Sequence, residues 1–277
     1  MGVDGFVRCE CFARRATTPP PFPWESLYIN EDGHLSLRPE FNSDEEWQLR
    51  YSWEQACCEH KDMRIASEHI SNWGGYRALQ EALDAAGWDN FPTLKQQLPT
   101  TNGGMTTCAA SEAALAELAL FRELPVIGTN AYVVDDAGNP LFPHIRAYKS
   151  VFIHCGRSGV EAGVDSHGFF VRRVTFPSEL FRGVKVKQSL LDPYDPARRY
   201  DGRAKLRDLE TGETYVGQIV VGVRETMTPE GTLQYLVPER FSVETRDVIA
   251  SDFEYILGAL TRLFEASLAT GNPVFWC

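Results

Sequence analysis

Two cysteine pairs and one histidine are the residues of this chain best suited to chemistry. Cys9-Glu10-Cys11 lies near the amino terminus, and Cys57-Cys58-Glu59-His60 lies in the next part of the chain. Thiolates and imidazoles are the soft ligands that Zn²⁺ takes in a tetrahedral site, and Cys-x-Cys plus Cys-x-His supplies four of them. The expected set is Cys9, Cys11, Cys58 and His60, holding one structural Zn²⁺. In an extended segment Cys9 and Cys11 project to the same side. Inside a regular helix Cys58 and His60 would diverge, whereas Cys57 and His60, three apart, would share a face. If the helix instead ends near Cys58, the backbone unwinds and Cys58 and His60 can converge. Two other readings stand beside this one: buried thiols acting as small hydrophobes, and a catalytic metal or thiol. With four protein ligands the ion has no position left for water, so such a site stabilises and does not catalyse.

The elements that must position these residues are legible in part. Val3, Phe6 and Val7 suggest a short strand running into Cys9. Four prolines within Pro19–Pro23 exclude a helix and predict an extended connector. Leu27-Tyr28-Ile29 and Leu35-Ser36-Leu37 flank a turn and read as a hairpin. Ser43 with Glu46 forms a capping box opening a helix that carries Trp47, Tyr51, Glu54 and Cys58 at helical spacing. Further helices are expected from about Ala66, broken near Asn72-Trp73-Gly74-Gly75, then from Tyr76 to Ala86, and from Thr107 to Leu124. Beyond Pro125 strands and turns dominate, including a hairpin of 132–134 with 141–142. The last element, 248–269, places Ile249, Phe253, Ile256, Leu257, Leu260 and Phe264 at helical intervals and stops at Gly271. The class is α+β: a helical amino-terminal half, 1–124, packed on a mainly antiparallel sheet, 125–277, closed by a long carboxy-terminal helix. The halves can equally form one continuous domain.

Several of these segments taken together, Met1-Gly2-Val3-Asp4-Gly5, Cys9-Glu10-Cys11, Thr17-Thr18-Pro19-Pro20-Pro21-Phe22-Pro23, Cys58-Glu59-His60 and Ile70-Ser71-Asn72-Trp73-Gly74-Gly75-Tyr76-Arg77, resemble a family of bacterial proteins that has no established activity. The resemblance covers mainly the first third of the chain. It implies one cysteine before the Glu-His, which favours Cys58 over Cys57, and it implies nothing about mechanism.

Composition narrows the class of function. The chain has 277 residues, 43% hydrophobic and 23% charged, as in ordinary soluble domains. No apolar run approaches the ~20 residues that span a bilayer, and the first ten residues lack the apolar stretch of a signal peptide. A cytoplasmic protein without membrane association is expected. Seven cysteines in that setting read as reduced thiols or metal ligands. A net charge of −11 argues against general nucleic-acid binding. The charge is uneven, because residues 172–207 hold ten Lys/Arg against four Asp/Glu. Lys185 and Lys187 would share one strand face there, and that face reads as solvated, paired with acidic residues of the first half.

The remaining candidates have bland readings. The 71–77 segment reads as a structural corner, with Arg77 available for an anion. Gly156-Arg157-Ser158-Gly159 lacks the spacing of a nucleophile elbow. His154, Cys155 and His167 need a proximity that sequence does not supply. The expected function is therefore a non-catalytic binding protein with a structural zinc site. Its partner would be a basic protein, neutralised as a toxin is by an immunity protein. The alternative is a hydrolase or transferase acting on an anionic substrate between the lobes, using Asp4, His60 or His69 with the basic stretch.

Overall fold

The first strand, β1 (Gly2–Arg8), alternates and then runs apolar through Phe6 and Val7, as a strand covered on both faces does. The structure is a computed structural model that describes residues 2–41, 43–142, 150–156, 158–175, 178–197 and 202–277. After β1 come the hairpin strands β2 (Leu27–Ile29) and β3 (Leu35–Leu37), then α1 (Asp44–Ala56), β4 (Arg64–Asn72), α2 (Trp73–Ala85), α3 (Pro92–Gln97), β5 (Met105–Thr106) and α4 (Cys108–Arg122). The middle of the chain is all strand: β6 (Gly128–Val134), β7 (Val151–Cys155), β8 (Val160–Asp165), β9 (Gly168–Arg173), β10 (Glu179–Gly183), β11 (Lys185–Leu190), β12 (Arg203–Asp208), β13 (Thr214–Gln218), β14 (Arg224–Met227), β15 (Leu233–Leu236) and β16 (Arg240–Val248). It closes with α5 (Glu254–Thr270) and β17 (Val274–Trp276). None of the described helices is long and apolar enough to cross a membrane.

Two compact units result: residues 1–127 with 249–277, and residues 128–248. In the first, β1 lies between β17 and β4 in an antiparallel sheet of order β4-β1-β17-β5. Phe6 pairs with Phe275 on one side and Ser67 on the other. Helix α5 lays Ile256, Leu257, Leu260, Leu263 and Phe264 into the core. It lies close to β1, since a Cβ at Gly5 would stand 2.7 Å from Leu263 Cδ1. Arg262 forks onto Glu68 of β4 at 2.7 and 2.8 Å, and that bond holds the Glu68 carboxyl below its usual range. Gly271 ends α5 in the left-handed conformation, as the glycine signal predicts.

This arrangement corrects four expectations. The amino-terminal half carries its own sheet. Residues 66–72 are strand, because β4 pairs with β1 along almost its whole length; a partner so far away in sequence outweighs local propensity. The final helix packs with the first unit, not with the strand-rich segment, since β17 returns to the edge of β1. Ile249 is not part of the buried stripe; it precedes the helix and is 39% exposed.

The second unit has two antiparallel sheets, β10-β9-β8-β7 and β13-β12-β11-β16-β6. Between them lies a core of Phe169, Phe181, Val186, Leu206, Ile219, Val221 and Phe241, with Phe169 and Phe241 edge to face at 5.1 Å. The hairpin expected of 132–134 with 141–142 is reduced to a bridge between Val134 and Pro140, while β6 pairs with β16 over seven residues. The basic stretch is balanced within this unit: Arg182 binds Asp165 and Glu179, Arg172 binds Glu161, and Lys185 reaches Glu210. Desolvation alone would raise the Asp165 carboxyl, but the bonds from Arg182 outweigh it and hold the group low. Lys187 has Arg207 and Arg240 as its cross-strand neighbours, all three exposed. Arg157, Arg198 and Arg199 lie outside the described residues.

Residues 128–248 carry sixteen acidic and sixteen basic side chains, so the whole net charge of −11 belongs to the first unit. Each large apolar group that α5 buries contributes roughly 1.5–3 kcal/mol, and the sum rivals the ~5–15 kcal/mol net stability of a domain. A chain ending at Val248 should therefore lose amide-exchange protection throughout β1 and β4. Protection retained there would show that α5 is dispensable.

Candidate metal centre

Two chain segments meet at the four candidate ligand side chains, and backbone bonds join them: the Cys9 N–H donates to the Met63 carbonyl at 2.9 Å and the Thr18 N–H to the Cys57 carbonyl at 2.8 Å. Past Arg8 the chain leaves the sheet and curls, with Arg14 N–H donating to Glu10 O and Ala16 N–H to Cys11 O. The second segment comes from α1. Ser43 accepts from the Glu46 N–H while Glu46 accepts from the Ser43 N–H at 3.0 Å, the predicted capping box. The helix ends at Ala56, Cys57 caps it, and residues 57–60 bend. Asp62 and Met63 then take left-handed φ values of 55° and 54° before β4 begins.

Ending the helix at Ala56 decides between the two cysteines. Cys57 is 2% exposed and packs in a small core with Leu27, Leu35, Leu37 and Met63. Burial pushes its thiol up to about 12. Cys58 turns toward the other ligands, with its Sγ 3.9 Å from that of Cys9. Cys11 Sγ stands 3.5 Å from His60 Nδ1. All four ligand atoms lie within 4.8 Å of one another. A tetrahedron with metal–sulfur bonds of about 2.3 Å has sulfur–sulfur edges of about 3.8 Å, and sulfur–nitrogen edges of about 3.6 Å. Cys9, Cys11, Cys58 and His60 thus form a cluster that can hold a metal ion and is compatible with zinc. Cys9 is buried and the other three partly so. Desolvation raises the Cys9 thiol to about 12 and raises Cys11 as well, so a cation among them would favour the thiolates that burial disfavours.

The other candidates are not gathered into a site. Asp4 Oδ1 is 2.7 Å from His69 Nδ1, but the side chains are 49% and 64% exposed on adjacent strands. Cys277 pairs with Asp4 through backbone bonds; burial and then the Asp4 carboxylate raise its thiol pKa, the opposite of what a nucleophile needs. Cys155 is wholly buried while its neighbour His154 is exposed, as successive strand residues must be. Ser158 bonds to the Cys155 carbonyl within a hairpin turn. His167 sits in the exposed turn after β8. The 71–77 segment is a strand-to-helix corner in which Asn72 accepts from the Gly75 N–H at 2.9 Å, and a Cβ on Gly75 would meet Ser71 Oγ at 2.3 Å. Trp73 lies under Arg77 there, 5.8 Å from ring to guanidinium.

Sequence periodicity missed one cluster beside the metal centre. Trp47 and Tyr51 are not the buried face of α1; each is 45% exposed, and Arg50, at 7%, is the helix's one buried residue. Arg50 and Arg8 both bind Glu54, at 2.6 Å each. The available signal was Glu54 four residues after Arg50, a helical ion-pair spacing. Compared with known proteins, the chain matches no family profile, no curated protein and no solved structure.

Proposed function

We propose that the protein is a zinc-braced, non-catalytic binding protein whose first unit receives a basic partner. The observation that carries the reading is the quartet itself: three sulfurs and one imidazole nitrogen within 4.8 Å of one another, with Cys9–Cys58 at 3.9 Å and Cys11–His60 at 3.5 Å. Soft thiolate ligands select zinc over the hard cations. A closed set has no place for the water that catalytic zinc activates. The ion would join the 9–16 loop to the end of α1, above the core that Cys9 and Cys57 share with Leu27, Leu35, Leu37 and Met63. Metal binding there is folding energy. The enzyme alternative has less support, because Asp4 and His69 sit open to water, where electrostatic interactions are screened. A basic partner follows from the charge: the unit holding the metal centre carries the full excess of −11, which steers cations toward it. Neutralising a basic toxin, as an immunity protein does, is one form of such binding.

Purified protein should carry about one zinc per chain, with three sulfurs and one nitrogen at the zinc X-ray absorption edge. Cys9→Ala and Cys58→Ala should release the ion, whereas Cys57→Ala and Cys108→Ala should keep it. Two or fewer sulfurs with a bound oxygen would overturn the closed site and favour the enzyme reading.

The partner's charge is tested separately with an oligolysine peptide. Amide shifts should fall within 2–127 and 249–277, and affinity should drop about tenfold or more between about 50 and 500 mM salt. Shifts confined to 128–248, or a salt-insensitive affinity, would refute the basic partner without touching the zinc assignment.

A further inference from the structure

Beside the metal centre, α1, the β2–β3 hairpin and the start of β4 enclose a cleft of about 710 Å³, within the range of small-molecule sites. Its floor is over-supplied with positive charge. Glu54 gives one oxygen to Arg8 and the other to Arg50, and all three side chains are at most 13% exposed. Arg64 lines the same cleft with its guanidinium 4.0 Å above the Phe6 ring, and no carboxylate lies within ion-pair distance of it among the described residues. Arg8 and Arg50 thus share one buried carboxylate, and Arg64, opposite Arg8 on the neighbouring strand, has none. Arg8 Nη1 and Arg64 Nε are buried with no acceptor. Buried cations are ordinarily paired, so this cluster lacks an anion. Asp62, on the lining, makes no ion pair among the described residues. His34, also on the lining, is held in its neutral form by burial and by the nearby Arg64 and Arg8.

The walls are aromatic. Tyr28, Trp47 and Tyr51 line the cleft and are 43–45% exposed, unusual for rings that could have been buried. Trp47 and Tyr51 lie parallel, 3° apart, with centroids 5.5 Å apart, and Arg50 sits 5.5 Å from the Trp47 ring. Parallel exposed rings next to an arginine make a stacking platform with an anion subsite at its foot. The consecutive left-handed residues Asp62 and Met63 fix the loop that delivers Arg64, and such strain gathers at ligand clamps.

We propose that this cleft binds a small anion carried on a flat aromatic ring, its carboxylate or phosphate meeting Arg50 and Arg64 and its ring extending the Trp47–Tyr51 stack. The site is independent of the basic partner proposed above: it takes a small molecule of opposite charge, within one fold of the chain.

The test titrates the metal-loaded full chain, by calorimetry and amide shifts, with four probes: adenosine 5′-monophosphate, indole-3-acetate, adenosine and inorganic phosphate. Saturable binding is expected for at least one ring-bearing anion, with shifts at Tyr28, Trp47 and Arg64. Which one binds tells phosphate from carboxylate. Adenosine and phosphate should each bind at least tenfold more weakly than the better ringed anion. Trp47→Ala and Arg64→Gln should each weaken that binding tenfold or more. Arg64→Gln should also leave the ligand-free thermal midpoint unchanged or raised, because it removes an unmatched cation; a mere packing role for Arg64 would lower it. Failure of both ringed anions to saturate at millimolar concentration would overturn the proposal. So would phosphate binding as tightly as the ringed anions, or a lowered midpoint for Arg64→Gln.

Discussion

The pairing of β1 with β4 is the constraint on which the first unit depends. Its ladder runs from Gly2 opposite Asn72 to Arg8 opposite Arg64, and one further bond, from Cys9 to Met63, carries the register into the loops. Without that register the two ligand pairs, separated by the proline-rich connector, the hairpin and α1, would have no reason to meet. The loop-closure entropy of so long an excursion is met in part by the strand ladder, which brings the two cysteine-bearing segments together. The shifts of register at Val3/Asp4 and Val7/Arg8 are bulges, which re-aim side chains at the end of a ladder. The second one falls at Arg8, directly before the first ligand.

The same strand end serves two kinds of chemistry. Cys9 turns toward the thiols, while Arg8 turns into the cationic cluster and reaches the Gly33 carbonyl and Glu54. Gly33, at the tip of the β2–β3 hairpin, presses on Phe275 of β17 so closely that a Cβ would stand 2.3 Å from the ring, and its φ of +76° needs glycine in any case. Hairpin, metal loop, α1 and sheet are thus tied at one corner. Buried charge is costly unless matched, and a corner tied this tightly keeps Arg8, Arg50 and Arg64 together despite their mutual repulsion.

Charge is partitioned between the two units in a way that the overall figure conceals. The second unit is neutral, and its arginines are largely met by carboxylates of its own strands. Lys187 beside Arg207 and Arg240 is not met in this way, and the three form a row of like charges that water must screen. All of the net negative charge lies in the unit that contains the cysteine–histidine cluster. Net charge and local charge therefore differ in sign within the first unit: the unit is acidic as a whole, while Arg8, Arg50 and Arg64 cluster beside one cleft.

By itself the sequence determined what depends on near neighbours. The capping box at Ser43 and Glu46, the 27–37 hairpin, the helix from Thr107 and the glycine stop at 271 are each set by bonds spanning a few residues, and the structure holds them. The four clustered donors, Cys9, Cys11, Cys58 and His60, were legible because soft-metal donors are few and their spacing is distinctive. What the tertiary structure decided are the matters of partner and burial. Residues 66–72 are strand only because β1 lies alongside them, and α5 joins the first unit only because β17 pairs with β1. Cys58 rather than Cys57 turns to the ligands because α1 stops at Ala56, a stop imposed by its docking and not by any proline or glycine. Arg50 is buried and Trp47 exposed, the reverse of what hydrophobic periodicity dictates, because Glu54 and Arg8 form an ion-pair network that no local window of sequence contains.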